Sequence, residues 1–446
     1  MATANVSQPP RLLGFWMCVA LVIGNTIGTG VFLLPAALAP YGLNSLIAWG
    51  FTALGSILLA IVFSRLSRAF PDAGGPYAYV HQAFGPLAAF LVAWGYWISI
   101  WVGNASLATA TVSALAPLLP WIAEVPGASA FITLALLWLL TLVNWFGIQA
   151  SGRVQTVTTV LKMLPLIAVA VLGIWSVRSP DIAAASGTQF SIGAITAAAT
   201  LTLWAFLGVE SATIPADKVA NPRRTIPLAT MVGAIVTALL CTLACTTVML
   251  LVPNDVLVGS NAPFVDLANR LWGSGIGKVI AVFAAISGLG TLNGWILLQG
   301  ELPSAMAKNG VFPKVFARMS SRGTPGFALC FGSALVTLLI MANYGSSMVR
   351  IFTFMILLST TACLVMYTLC ALALLRLQWT GRLTGARRGS AMLAVVGILA
   401  ALYSLWAIIG AGADAVGLGA VLLALGVPLY YGVPIYRWLT MRLRVS

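Results

Sequence analysis

The chain has 446 residues, of which 60% are hydrophobic and only 7% charged, against roughly a quarter charged in an ordinary soluble domain. That composition excludes a soluble globular protein and leaves an integral membrane protein with little polypeptide outside the bilayer. The net charge of +14 is no nucleic-acid footprint: with the N-terminus inside, eighteen of the 23 Lys and Arg fall on the inner side, four outside and Lys162 within the membrane, which is the positive-inside pattern of a protein with both termini cytoplasmic.

Twelve apolar runs are long enough to cross roughly 30 Å of hydrocarbon: 12–38, 44–66, 86–118, 128–149, 153–177, 192–215, 226–252, 276–302, 326–343, 349–376, 390–411 and 417–438. The expected architecture is an all-α membrane protein of twelve transmembrane helices forming one transporter domain, 1–446. The first run is too long for a cleavable signal peptide, and none is expected.

The first run is interrupted by Gly24-Asn25-Thr26-Ile27-Gly28-Thr29-Gly30. Each helical glycine costs about 1 kcal/mol relative to alanine, and lipid cannot satisfy the backbone groups that a break exposes. The break must therefore face protein or a water-filled cavity. The N–H groups of Gly28, Thr29 and Gly30 would sit at the positive end of the second half-helix, a seat for a carboxylate. Carbonyls near Ile23 and Gly24 would suit an ammonium group. The alternative is a glycine-rich face for close helix packing.

Further along, Pro71 to Tyr79 forms an inner loop of turn residues, and His81, the only histidine, follows it with no assigned role. Lys162 lies roughly 14 Å into the fifth span at 1.5 Å per residue. A lysine at that depth is a functional candidate; the alternative is snorkelling. The sixth span carries a second interruption, Trp204-Ala205-Phe206-Leu207-Gly208-Val209-Glu210-Ser211, with free carbonyls expected around Trp204 and Phe206. Glu210 is the one acid placed well inside the membrane, where a carboxylate is costly unless paired or protonated; the alternative is a cap on its own broken span. Glu301, near the inner end of the eighth span, is expected to be interfacial. The six cysteines all lie in apolar runs without CxxC spacing, so buried free thiols are expected, with no metal site.

Two interrupted spans five apart run in opposite directions, which points to an inverted-repeat transporter: a first five-helix repeat over 12–177, a second over 192–376, and two appended helices over 390–438. Free carbonyls and free N–H groups at one place select a small zwitterion, an α-amino acid or a close relative.

The runs GNTIGTGVFLLPAALA, LWAFLGVESA and NPRRTIPLAT resemble the amino acid–polyamine–organocation superfamily, and more narrowly its basic amino-acid and diamine antiporters. The resemblance covers about 12 to 438. It implies the leucine-transporter-type 5+5 inverted repeat with discontinuous helices 1 and 6, alternating access, and exchange of one amino compound for another. It implies that Thr26 and the N–H groups of Gly28, Thr29 and Gly30 hold the substrate carboxylate, that Ile23 and Trp204 offer carbonyls to its amino group, and that Trp204 is an aromatic lid. Asn104 would contact the far end of an arginine side chain, and Trp295 would stack on its guanidinium. Tyr96 resembles a tyrosine of the extracellular gate, and Glu210 a proton-sensitive coupling residue. Lys162 departs from the arginine/agmatine pattern and resembles a lysine that stands in for a sodium ion, bridging spans 1, 5 and 8.

The expected function is an amino acid antiporter in the bacterial inner membrane, leaning to cationic amino acids or their amines. The rival within that class, favoured by Lys162, is a neutral amino acid exchanger or a proton-coupled importer. No enzyme, channel, cofactor or nucleic-acid partner is expected: Glu210 has no acidic partner in the core, and no repeated filter motif is visible. The resemblance allows a homodimer, which no sequence feature demands.

Overall fold

The computed structural model describes residues 13–432 except 72–73, 117, 126, 177–188, 261, 343–347 and 384–389. The expected inner-side residues Arg11, Arg387, Arg388, Arg437, Arg442 and Arg444, the loop residue Asp72 and the outer Arg178 lie outside the described residues. Among the described residues every regular element is helical, and Leu13 and Val219 form one isolated parallel bridge. Ten helices among the described residues are long and apolar enough to cross a membrane, and two shorter apolar helices, Ile192–Phe206 and Gly326–Ala342, accompany them.

In chain order, α1 (Phe15–Thr26) and α2 (Thr29–Leu38) form the first, interrupted span. They are followed by α3 (Asn44–Ala69), the short α4 (Pro76–Phe84), α5 (Pro86–Leu115), α6 (Trp121–Glu124), α7 (Ala128–Trp145) and α8 (Ile148–Ser176). The second half contains α9 (Ile192–Leu203), α10 (Pro222–Leu251), α11 (Asn254–Gly259), α12 (Pro263–Trp272), α13 (Ser274–Lys308), α14 (Gly326–Ala342), α15 (Met348–Trp379), α16 (Ala391–Gly410) and α17 (Ala413–Ala424). His81 sits in α4, its ring stacked on Tyr77 at 5.8 Å. The fifth span begins five residues earlier than expected, which places Lys162 roughly 21 Å along α8 at 1.5 Å per residue.

Burial sorts these helices into centre and periphery. The most apolar stretch of the first span is 94% buried, whereas that of Ala413–Gly432 is only 17% buried. The first span is therefore enclosed by other helices. The last presents nearly all its side chains outward, as do Leu54 of α3, Leu139 of α7, Val160 of α8 and Leu399 of α16, which face where lipid would lie. Helix α5 packs against α13 and α15, and α1 packs against α8, α10 and α13.

The basic side of the fold is fastened by main-chain bonds. Leu13 N–H donates to Lys218 O at 3.0 Å, Ala220 N–H to Leu13 O at 2.9 Å, and Gly74 N–H to Ile214 O at 3.0 Å. Beside them Lys218 Nζ meets Glu301 Oε1 at 2.6 Å, with the two side chains only 9% and 7% exposed. The pair joins the unwound segment before α10 to α13. Breaking a buried pair leaves an uncompensated charge, so Lys218→Met is expected to cost about 3 kcal/mol. Thermal unfolding in detergent would read this as a lowered midpoint, and an unchanged midpoint would show that the pair adds nothing.

Candidate substrate-binding site

Both interruptions are local consequences of sequence. Helix α1 ends at Thr26, whose Oγ1 donates to Val22 O at 2.5 Å. Ile27 and Gly28 are extended, and α2 restarts at Thr29 with no side-chain cap. In the sixth span α9 ends at Leu203. Trp204–Phe206 form a single 3-10 turn, Leu207 is extended, and Gly208 takes φ +111°. From there to Lys218 the backbone is a succession of turns and 3-10 segments, so this span has no second α-helical half.

The two breaks touch. A Cβ on Gly208 would lie 3.1 Å from the Asn25 carbonyl carbon and 3.3 Å from its oxygen. Asn25 ties four elements together: its Nδ2 donates to Ser211 Oγ at 3.0 Å, its Oδ1 accepts from Gln155 Nε2 at 3.2 Å, and its carbonyl accepts from Trp295 Nε1 at 2.8 Å. Between the breaks lies a small cavity of about 10 Å³, walled by Asn25, Thr26, Gly28, Val31, Leu107, Trp204, Leu207, Thr291 and Trp295.

The N–H groups of Gly28, Thr29 and Gly30 have no hydrogen-bond partner among the described residues, while Val31 N–H closes the first turn onto Gly28 O at 3.2 Å. The positive end of α2 is therefore aimed at the break. The carbonyls are arranged differently from expectation. Helix α1 extends past Gly24, so Ile23 O accepts the Ile27 N–H at 2.8 Å and is not left free. The Gly24 and Ile27 carbonyls accept from Lys162 Nζ at 2.8 and 2.7 Å, and the same ammonium donates to Thr291 Oγ1 at 2.6 Å. Lys162 is fully buried and joins α8, α1 and α13, the fifth, first and eighth spans. Trp204 O accepts only the Leu207 N–H, at 3.3 Å.

Other expected residues stand apart from the cavity. Thr29 Oγ1 faces Thr111 Oγ1 at 3.3 Å, and Phe206 packs its ring edge-on to Trp49 at 5.9 Å. Asn104 Nδ2 donates to Gln299 Oε1 at 2.8 Å. Tyr96 O–H donates to Glu210 Oε1 at 2.5 Å and Tyr367 O–H to Oε2 at 2.7 Å, and backbone N–H groups of Gly208 and Glu210 in its own span also bond the carboxylate. Tyr96 lies ten residues into α5 from the α4 end, and through Glu210 it is joined to the turn segment that also bonds Gly74 and Leu13.

Asn25, Gln155, Thr291 and Tyr367 were not singled out in the sequence. Gln155 and Thr291 are polar residues inside apolar runs, which is the signal that marks them. Tyr367 is one of ten tyrosines and carries no such signal. Among the described residues no three His, Cys, Asp or Glu side chains gather as metal ligands.

The amino acid permease family model matches residues 13–431. A Bacillus subtilis protein provisionally named an arginine/ornithine antiporter is 30% identical over 434 residues, covering 90% of this chain and 92% of that one. The cadaverine/lysine antiporter of Escherichia coli is 32% identical over 333 residues, 74% of each. The crystal structure of MhsT in complex with L-phenylalanine superposes with a TM-score of 0.67 at 14% identity, covering 91% of this chain and all of that one; at that identity the likeness concerns the fold, which is of the leucine-transporter type.

Proposed function

The chain belongs to the amino acid permease family, and from that premise we propose that it is an antiporter that exchanges one cationic amino acid, or the amine derived from it, for another across the bacterial inner membrane. The observation that carries this reading is the contact of two backbone interruptions around a cavity with unpaired N–H groups on one wall and two indoles on the others. The similar arginine/ornithine and cadaverine/lysine antiporters support the substrate class.

In this reading twelve spans cross the bilayer with both termini cytoplasmic. Residues 12–177 and 192–376 form the inverted repeats, with helix 1 discontinuous and helix 6 unwound after Leu203, and 390–438 are appended. The substrate carboxylate sits on the N–H groups of Gly28, Thr29 and Gly30, beside Thr26, stabilised by the α2 dipole. Its ammonium takes the carbonyl edge of the sixth-span break, contributed by Trp204 and Phe206; Trp204 O, with one long bond, has the most capacity left. Trp204 closes over the site. Trp295, pinned by its bond to Asn25, offers its ring face to a guanidinium or ammonium end, and Asn104 meets that end. Glu210, with Tyr96 and Tyr367, forms a proton-sensitive inner gate. Lys162 fixes the first break by charge where a bound cation would otherwise be needed. Assembly as a homodimer is part of the proposal.

Lys162 also favours a second reading, a neutral amino acid exchanger or proton-coupled importer. Proteoliposomes separate the two. Labelled arginine is expected to enter only vesicles preloaded with arginine or ornithine. Entry into empty vesicles at the same rate excludes obligatory exchange, and entry of alanine but not arginine selects the neutral exchanger.

A further inference from the structure

The end of α15 joins an apolar trough to an unpaired charge. Leu372, Leu375, Arg376, Trp379 and Thr380 share one face of this helix, at steps of three, four, seven and eight residues. With Phe84, the last residue of α4, they line an open groove of about 320 Å³. The Arg376 guanidinium lies over the Phe84 ring, 5.2 Å from its centroid, a contact that holds the charge without neutralising it. On the same short helix Gln82 O accepts from Arg382 Nη1 at 3.4 Å. Both arginines are exposed, and the one ion pair among the described residues is Lys218–Glu301. Neither guanidinium therefore has a carboxylate partner there.

Depth sorts the chemistry of the groove. Leu372 lies seven residues before Trp379, the last residue of α15, roughly 10 Å deeper at 1.5 Å per residue. It is 38% exposed on an apolar span, where acyl chains would lie. Trp379 is 84% exposed at the helix end, the level at which an indole and a guanidinium meet headgroups. That end lies on the basic side, because α4 follows Gly74, whose N–H is bonded to Ile214 O. An occupant must be apolar at one end and anionic at the other. A soluble anion leaves the trough bare, and a zwitterionic lipid brings a cation of its own to the guanidinium.

We propose that this groove binds an anionic phospholipid of the leaflet on the basic side. The phosphate takes the free edge of the Arg376 guanidinium, whose planar fork matches two phosphate oxygens, and Arg382 adds charge from the Gln82 side of α4. One acyl chain lies along Leu372 and Leu375. The site is separate from the cavity between the breaks and does not depend on what is transported.

The test is native mass spectrometry of the full chain in detergent, titrated with phosphatidylglycerol or phosphatidylcholine of the same acyl chains. The wild type is expected to hold phosphatidylglycerol more tightly. Arg376→Gln is expected to raise the apparent Kd for phosphatidylglycerol about fivefold, the effect of one cationic side chain on an anionic lipid, and to leave phosphatidylcholine nearly unchanged. Leu372→Trp fills the trough and keeps the charge. It is expected to weaken both lipids, and it tests the site should Arg376→Gln fail to fold. Arg65→Gln removes an exposed arginine of α3 outside the groove and is expected to change nothing. Equal affinity of the wild type for the two lipids, an unchanged Kd in folded Arg376→Gln or Leu372→Trp, or as large a rise in Arg65→Gln overturns the inference. So does release of the bound lipid by excess inorganic phosphate, which would make this a site for the phosphate group alone.

Discussion

Gly208→Ala is expected to abolish substrate binding and to lower stability by about 2–4 kcal/mol, because two separate costs coincide at one atom. At φ +111° an L residue is strained whatever space surrounds it. The added Cβ would also press on main-chain atoms of Asn25, which cannot swing aside as a side chain can. Relief requires the sixth-span break to withdraw from the first, and the cavity wall withdraws with it. Gly28→Ala is the informative contrast. Its backbone is extended at φ −113°, which alanine tolerates, and its Cβ would meet side-chain methyls of Leu107 and Thr291 at 3.0 Å rather than main chain. Thermal unfolding and calorimetric titration with arginine on both variants check this. Equal, small losses in both would mean that the contact at Gly208 is incidental.

Lys162→Ala is expected to slow exchange by about a hundredfold, corresponding to about 3 kcal/mol. Three short hydrogen bonds from one ammonium hold the Gly24 and Ile27 carbonyls and the Thr291 hydroxyl. Bonds to a charged group contribute about 1.5–3 kcal/mol each, and deleting the donor leaves buried acceptors of which Thr291 can satisfy only one. The break would then sample alternative geometries, and the N–H groups of Gly28 to Gly30 would no longer be preset for a carboxylate. Initial exchange rates in proteoliposomes, normalised to folded protein by size exclusion, give the measurement; wild-type rates would reduce Lys162 to scaffolding.

Much of the fold is legible because lipid imposes simple rules. Apolar runs of sufficient length become helices, and glycines at mid-depth become breaks. Glu210 and Lys162 stand out because an ionisable group in an apolar run needs a partner. Which partner is not legible. Tyr96 and Tyr367 are separated from Glu210 by 114 and 157 residues, and nothing local selects them from the other tyrosines. The end of α1 lies later than expected because glycine lowers helix propensity without forbidding the helix, so the turn over Gly24 survives where Lys162 and Thr291 donate to its carbonyl. Short helices such as α4 and α12 fall below the length that hydropathy alone resolves.

The stitch between Leu13 and the Lys218–Ala220 stretch has a mechanical consequence. The tip of one interrupted rod is bolted to the unwound stretch that ends the other, so a swing of the first drags the second with it.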